Sequence, residues 1–303
     1  MKKSTGRIAF DIINYTILIL FALTIILPFA HIIAISLSEE RAVVALSVSF
    51  WPKGFDTRAY RTILGDQLFI SSFVNSVAIT AAVTLAGLLV NVMAAYCFSK
   101  EFFGKKVFNY YFILTMYFSG GLIPTYLWMT RYLKLKDSYL ALILPALVSV
   151  YYIIVIRSQI ETIPKSLTEA ARIDGATEAQ TLFLIVMPTI VPTLAAIGMF
   201  IALGVWNSWF NVMIYIDDNK KWTLQYYLRK IVIEKTITTG MSEAALKMAE
   251  LGTVDVRPEN YQNAAIILVA LPIVCVYPFV QKYFVKGILV GSVKESRDCI
   301  SSY

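Results

Sequence analysis

Six stretches of the chain are apolar almost without interruption: residues 12–36, 73–98, 108–129, 139–156, 185–210 and 264–285. A helix that crosses a bilayer needs roughly 20 apolar residues. Five of the six stretches carry no Asp, Glu, Lys or Arg, and the shortest, 139–156, is among them. A charge at mid-bilayer costs roughly 2.5–3.5 kcal/mol on insertion scales, so uncharged runs of this length are informative. The pattern predicts an all-α polytopic membrane protein with six transmembrane helices in one domain, 1–303. The polar positions between the runs gather into an outer loop at 38–72, a loop at 157–184 and an outer subdomain at 211–263.

Composition supports this reading. Charged residues make up 16% of the chain and apolar ones 58%. Soluble domains carry about 25% charged residues. The net charge of +7 admits a nucleic-acid partner as one explanation. Membrane topology explains it without nucleic acid. Lys2, Lys3 and Arg7 precede the first run, and Lys100, Lys105 and Lys106 sit in the short loop before the third. Short basic segments stay in the cytoplasm. Six spans then put both termini and loop 157–184 inside. The first run is too long for an ordinary signal peptide and reads as an uncleaved anchor. Cys97, Cys275 and Cys299 have no paired spacing, so neither a disulfide framework nor a metal site is expected.

The most informative polar stretch is 164–192, PKSLTEAARIDGATEAQTLFLIVMPTIVP. Ser166 to Glu169 and Thr177 to Gln180 both fit the capping box that starts a helix. Gly175 between them suits the left-handed turn that ends one. The spacing predicts a helix over 167–174, a break at Gly175 and Ala176, and a second helix running toward Pro188. Leu167, Ala170, Ala171 and Asp174 recur at helical spacing, and the small side chains admit another backbone. Glu169 and Arg172 are spaced to pair. From the residues alone, a solvated connector between two spans explains this loop equally well.

Glu169, Ala170, Ala171, Asp174, Gly175, Ala176 and Pro188 stand at the spacing of the EAA loop, and here the chain resembles the permease subunits of bacterial ABC importers. Met187 occupies a place where Leu is more usual. The resemblance covers nearly the whole chain and is strongest to the carbohydrate branch of maltose-type permeases. It implies the type I importer fold, with a cytoplasmic coupling helix docked on an ATP-hydrolysing subunit. It further implies two ATPase subunits, a second permease forming a heterodimer, an extracytoplasmic solute-binding protein, an oligosaccharide as solute, and the bacterial cell membrane as location. Residues up to 296 resemble the family's C-terminal tail, which in some relatives reaches between the ATPase subunits; 297–303 go beyond the likeness.

A transport path needs polar or aromatic groups inside the bundle. Gly120, Gly121 and Pro124 interrupt the third run, and broken helices often line pathways. Tyr117, Tyr126 and Trp128 accompany that break. Tyr151 and Tyr152 lie in the fourth run, and Trp206, Asn207, Trp209 and Asn211 at the outer end of the fifth. Aromatic faces suit sugar rings, and amides suit hydroxyls. A packed kink and an interfacial aromatic belt explain the same residues. Asn75 and Asn91 read as packing groups, and His31, near an outer helix end, as a structural residue. Trp51, Pro52, Phe55, Tyr60 and Phe69 suggest an interface-hugging first loop. Trp222, Tyr226 and Tyr227 are spaced to meet a partner.

No GxxxxGK[ST] loop, HExxH motif or Cys/His cluster occurs, and one histidine cannot build an ordinary triad. The chain is therefore expected to be no enzyme and to hold no cofactor, with energy supplied by the ATPase partner. Other solute classes (peptide, phosphate, polyamine) and a membrane scaffold or enzyme whose loop binds another protein are the alternatives.

Overall fold

In the computed structural model, residues 5–239 and 259–292 are described. Lys2, Lys3, Cys299, the 240–258 part of the outer subdomain and the 297–303 tail lie outside them. Among the described residues the regular elements are all helices, joined by turns and loops, with one isolated bridge between Ser38 and Phe55.

The helices are α1 (Thr5–Ser36), α2 (Glu40–Val44), α3 (Arg58–Gly65), α4 (Gln67–Ser99), α5 (Lys105–Tyr117), α6 (Leu122–Leu127), α7 (Leu140–Ile143), α8 (Val150–Ile160), α9 (Lys165–Ile173), α10 (Glu178–Gln180), α11 (Met187–Thr189), α12 (Val191–Trp206), α13 (Phe210–Tyr215), α14 (Leu224–Thr239) and α15 (Glu259–Ser292). Wide π-type turns continue α6 through Trp128–Tyr132 and join α10 to α11 through Thr181–Val186.

Among the described residues, three helical stretches are long and apolar enough to cross a bilayer: Gly6–Ser36, Gln67–Ser99 and Glu259–Pro278. The apolar runs 108–129, 139–156 and 185–210 are not the continuous helices their hydropathy suggests. Each is a bent pair. Lys105–Tyr117 meets Leu122–Tyr132 at 106°, Leu140–Ala146 meets Val150–Ile160 at 42°, and Glu178–Thr189 meets Val191–Trp206 at 86°. The first bend uses Gly121 at φ +84°, open only to glycine at low cost. The third falls at Ile190, where Pro192 in the first turn of α12 has no N–H to bond back. The fifth apolar run also ends its helix at Trp206, and Asn211 belongs to the separate α13.

The second bend has neither glycine nor proline at its corner. Asn91 supplies the missing bonds from α4. Its Nδ2 donates to Leu147 O at 2.8 Å, and its Oδ1 accepts the Ser149 N–H at 2.9 Å. Asn91 is 1% exposed. Freed backbone groups at membrane depth need such partners.

The described residues divide into two compact units, one of 5–70 with 227–239 and 259–271, the other of 71–226 with 272–292. In the first, His31 Nδ1 donates to Ser49 O at 2.6 Å, a structural bond from α1 to the loop that follows it. Tyr227 donates to Asp66 at 2.6 Å and lies beside Tyr261. Tyr226 and Tyr227 are buried, so these two aromatics pack inside the chain instead of facing a partner.

The second unit has its core around Val83, Val92, Ile156, Val186, Ile190 and Val212. One edge is clasped by Asp137, which has a left-handed backbone at φ +57°. Its Oδ1 accepts the N–H groups of Asp217 and Asp218 at 3.1 and 3.0 Å, and its Oδ2 meets Lys221 Nζ at 2.6 Å. Lys136 and Asp217 pair beside it at 2.8 Å. The Lys221 hydrogen bond, followed by the backbone N–H of Asp218, holds the Asp137 carboxyl below its ordinary 3.8. A lowered carboxylate pKa stabilises the fold above the unfolded value and is lost as pH falls through the folded one. The clasp therefore holds across the neutral range and opens only in acid, below pH 3.8. Asp137→Asn should lower the melting temperature at pH 7, and the gap to wild type should close as acid protonates Asp137. Equal melting of the two proteins at pH 7 would remove the clasp from the account.

Candidate functional site

The loop 164–192 forms from its own local chemistry. Helix α9 starts at Lys165 behind Pro164, which makes no side-chain cap. The expected Ser166–Glu169 capping box does not form, because residues 166–169 already lie within the first turns of the helix. Thr168 donates instead to Lys165 O at 2.9 Å. The far end follows the sequence. Gly175 has φ +83°. Its N–H donates to Arg172 O at 3.1 Å, and the Ala176 N–H to Ala171 O at 2.9 Å. This pair of bonds is the Schellman motif, and it accounts for Asp174-Gly175-Ala176 as a stop. Thr177 and Gln180 then form the second predicted capping box: the Thr177 N–H donates to Gln180 Oε1 at 2.8 Å, and the Gln180 N–H to Thr177 Oγ1 at 3.2 Å. The second helix runs past Pro188 to Thr189.

Helix α9 has two faces. Ala171 is buried, while Leu167, Ala170 and Asp174 lie at the surface. The outward face also carries Ile173, 86% exposed, which the motif does not mark. An exposed apolar row on a nine-residue helix points to a protein partner.

Arg172 does not pair with Glu169. It donates through Nε, at 3.1 Å, and Nη2 to Glu178 Oε1. The other carboxylate oxygen, Oε2, accepts the Tyr96 hydroxyl and lies 3.4 Å from Lys100 Nζ. Lys100 stands 4.5 Å above the Tyr96 ring. A cavity of about 680 Å³ opens here, with Lys105, Glu161, Lys165 and Glu169 in its wall. Tyr96 and Glu178 are 82 residues apart, so no local pattern pairs them.

The path candidates are spread over the bundle. Tyr117, Gly120 and Gly121 lie at the exposed break between α5 and α6. Tyr151 lines a hollow of about 410 Å³ with Tyr111, Thr115 and Ser149. Its neighbour Tyr152 lines a separate cavity of about 230 Å³ with Ser208, Asn211 and Thr223. Trp206 is 8% exposed and packs edge-on to Phe73 at 6.3 Å. Asn207 donates to Leu203 O at 2.9 Å and accepts from Gln225 at 3.3 Å. The seven do not surround one cavity.

Residues 85–290 match the family described as binding-protein-dependent transport system inner membrane component. That range contains the loop with its Schellman turn and capping box. The chain belongs to this family. It is the permease component of an ABC importer, an integral membrane transport subunit and not an enzyme. It is 38% identical to the polygalacturonan/rhamnogalacturonan transport system permease protein YtcP of Bacillus subtilis over 94% of this chain and 98% of that one. Protein LplC of the same organism is 36% identical over 97% of each. Among solved structures, a chain of a bacterial ABC transporter involved in the import of the acidic polysaccharide alginate is 33% identical, with a TM-score of 0.83 over 94% of this permease and 99% of that chain.

Proposed function

We propose that this permease forms half of the membrane path for an oligosaccharide delivered by a solute-binding protein. The single observation that carries the solute class is the likeness, over nearly the full length of both chains, to the alginate importer chain. The polygalacturonan/rhamnogalacturonan permease points the same way. Six spans, with the three bent pairs each counted once, leave both termini and the 157–184 loop in the cytoplasm, and 38–72 and 211–263 outside. Glu169, Ala170, Ala171, Asp174, Gly175, Ala176 and Pro188 then shape the surface on which an ATPase subunit docks, two such subunits serving the complex.

A second permease supplies the other half of the path. The bend of 106° after Tyr117 supports this reading. Residues 117–125 are all exposed on the isolated chain. Lipid cannot hydrogen-bond a broken helix, so protein or a water-filled path must cover it. Tyr117, Gly120, Gly121 and Tyr151 then line that path. Tyr152, Trp206 and Asn207 support its wall.

The test is uptake by the complete complex in proteoliposomes, with its binding protein, two ATPases and partner permease. Labelled uronate oligosaccharides, neutral oligosaccharides, a peptide and phosphate are offered separately. ATP-dependent uptake of an oligosaccharide is expected; uptake of only the peptide or phosphate would overturn the solute class.

A further inference from the structure

Helix α4 is one unbroken helix of 33 residues. Three of its polar side chains reach other elements of the same compact unit. Near its end, Tyr96 donates to Glu178, which Arg172 ties to α9. One and a half turns back, buried Asn91 holds both sides of the bend between α7 and α8. Near its start, Asn75 Nδ2 donates to Lys220 O and Trp222 O at 2.8 and 3.1 Å, and its Oδ1 accepts the Tyr139 hydroxyl at 2.9 Å. Residues 75 and 96 are separated by about 31 Å of helix at 1.5 Å per residue.

We infer that α4 is the rod that carries motion of the coupling helix to the bend of the fourth span, with Tyr96–Glu178 as its driving joint and Asn91 as its output. Tyr96, Glu178 and Asn91 are positioning residues in this scheme. The backbone offers a second route to the same corner, from α9 through 161–164 and α8. On the other side of the loop, between Gln180 and Val191, the chain passes through a π-type turn and an 86° bend. The side-chain route reaches the far side of the corner as well, which α8 alone does not. Tyr96 is 6% exposed, and its hydroxyl meets a carboxylate fixed further by Arg172 and Lys100. Charge-assisted bonds of this kind are about twice as strong as neutral ones. Asn91 bonds both sides of the 147–149 corner, so a shift of α4 along its axis pulls on that corner. Coupling then runs through a contiguous network whose members can be removed singly.

The inference rests on the reading of 157–184 as the ATPase-coupled loop, and its test does not require the solute to be known. In the complete complex, with Cys97, Cys275 and Cys299 replaced by Ser, spin labels are placed at Leu122 and Val148, both exposed beside bends. ATP is expected to change the distance between them in the otherwise wild-type complex. Tyr96→Phe keeps the ring and removes the hydroxyl. It should cut the fraction of complexes that respond by about tenfold, the size of one hydrogen bond to a charged group. The amount of co-purified ATPase should stay unchanged. Tyr96→Phe combined with Glu178→Gln should lose no more than Glu178→Gln alone. If Tyr96→Phe does not assemble, Lys100→Met carries the same test from the exposed edge of the joint. No ATP response in wild type, a wild-type response in the variant, or additive losses in the double variant would each overturn the rod. Failure of oligosaccharide uptake would be seen separately and would strike only the solute assignment.

Discussion

Replacing Gly175 by valine is expected to detach the ATPase and reduce transport by about tenfold. A Cβ at residue 175 would meet nothing within 4 Å, so the loss is not a clash with neighbours. It comes from the backbone, held at φ +83°. The left-handed conformation costs an L-residue roughly 1–2 kcal/mol, and a β-branched side chain fares worst there. At about 1.4 kcal/mol per factor of ten, the correctly turned loop becomes a minor state. The escape is to rotate residue 175 out of the left-handed region. That releases the bonds from Gly175 to Arg172 and from Ala176 to Ala171, and re-aims α9. Gly175→Asn is the control, because asparagine tolerates this position at a helix end. Co-purification of the ATPase with each variant, alongside uptake, decides the matter. Wild-type behaviour of the valine variant would mean that the turn is not needed for docking.

The second large effect is expected at Asn91. Asn91→Leu keeps the branched outline at a somewhat larger volume, yet leaves Leu147 O and the Ser149 N–H without their partner. Each stranded buried group costs about 1–3 kcal/mol. A loss of several degrees in the melting temperature of the purified permease should follow, with inactivation even where insertion is normal. Asn91→Ala should be no milder, since it adds a cavity to the same deficit. If Asn91→Leu melts with wild type, water must satisfy the bend and the lock is incidental.

What the sequence revealed and what it hid follow from range. The bonds around Gly175, Thr177 and Gln180 join positions three to five apart, so their roles are written in local order. The helical class likewise follows from the apolar blocks. The bend at 147–149 is different: its cause is an amide 56 residues earlier. An Asn inside an uncharged apolar run was the available signal, and it reads as packing until the acceptor is known. Glu169 shows the reverse error. Its spacing from Ser166 and Arg172 suited two interactions, but α9 begins at Lys165 and Arg172 turns to Glu178. Tyr96 and Glu178 meet only because the core of the second unit brings the end of α4 against the loop. The candidate path residues Tyr117, Tyr151, Tyr152 and Trp206 can be picked by chemistry but not grouped, since the bends set them against different hollows and helices.

The central claim is that the outward face of α9 is where this permease meets an ATPase. A photo-crosslinking amino acid at Ile173 tests it most directly, because that side chain is 86% exposed on the isolated chain. In the assembled complex, illumination should give one dominant product containing this permease and the ATPase subunit, and its yield should fall when Gly175 is also valine. Crosslinks to lipid or to the binding protein alone, in a complex that still transports, would contradict the claim.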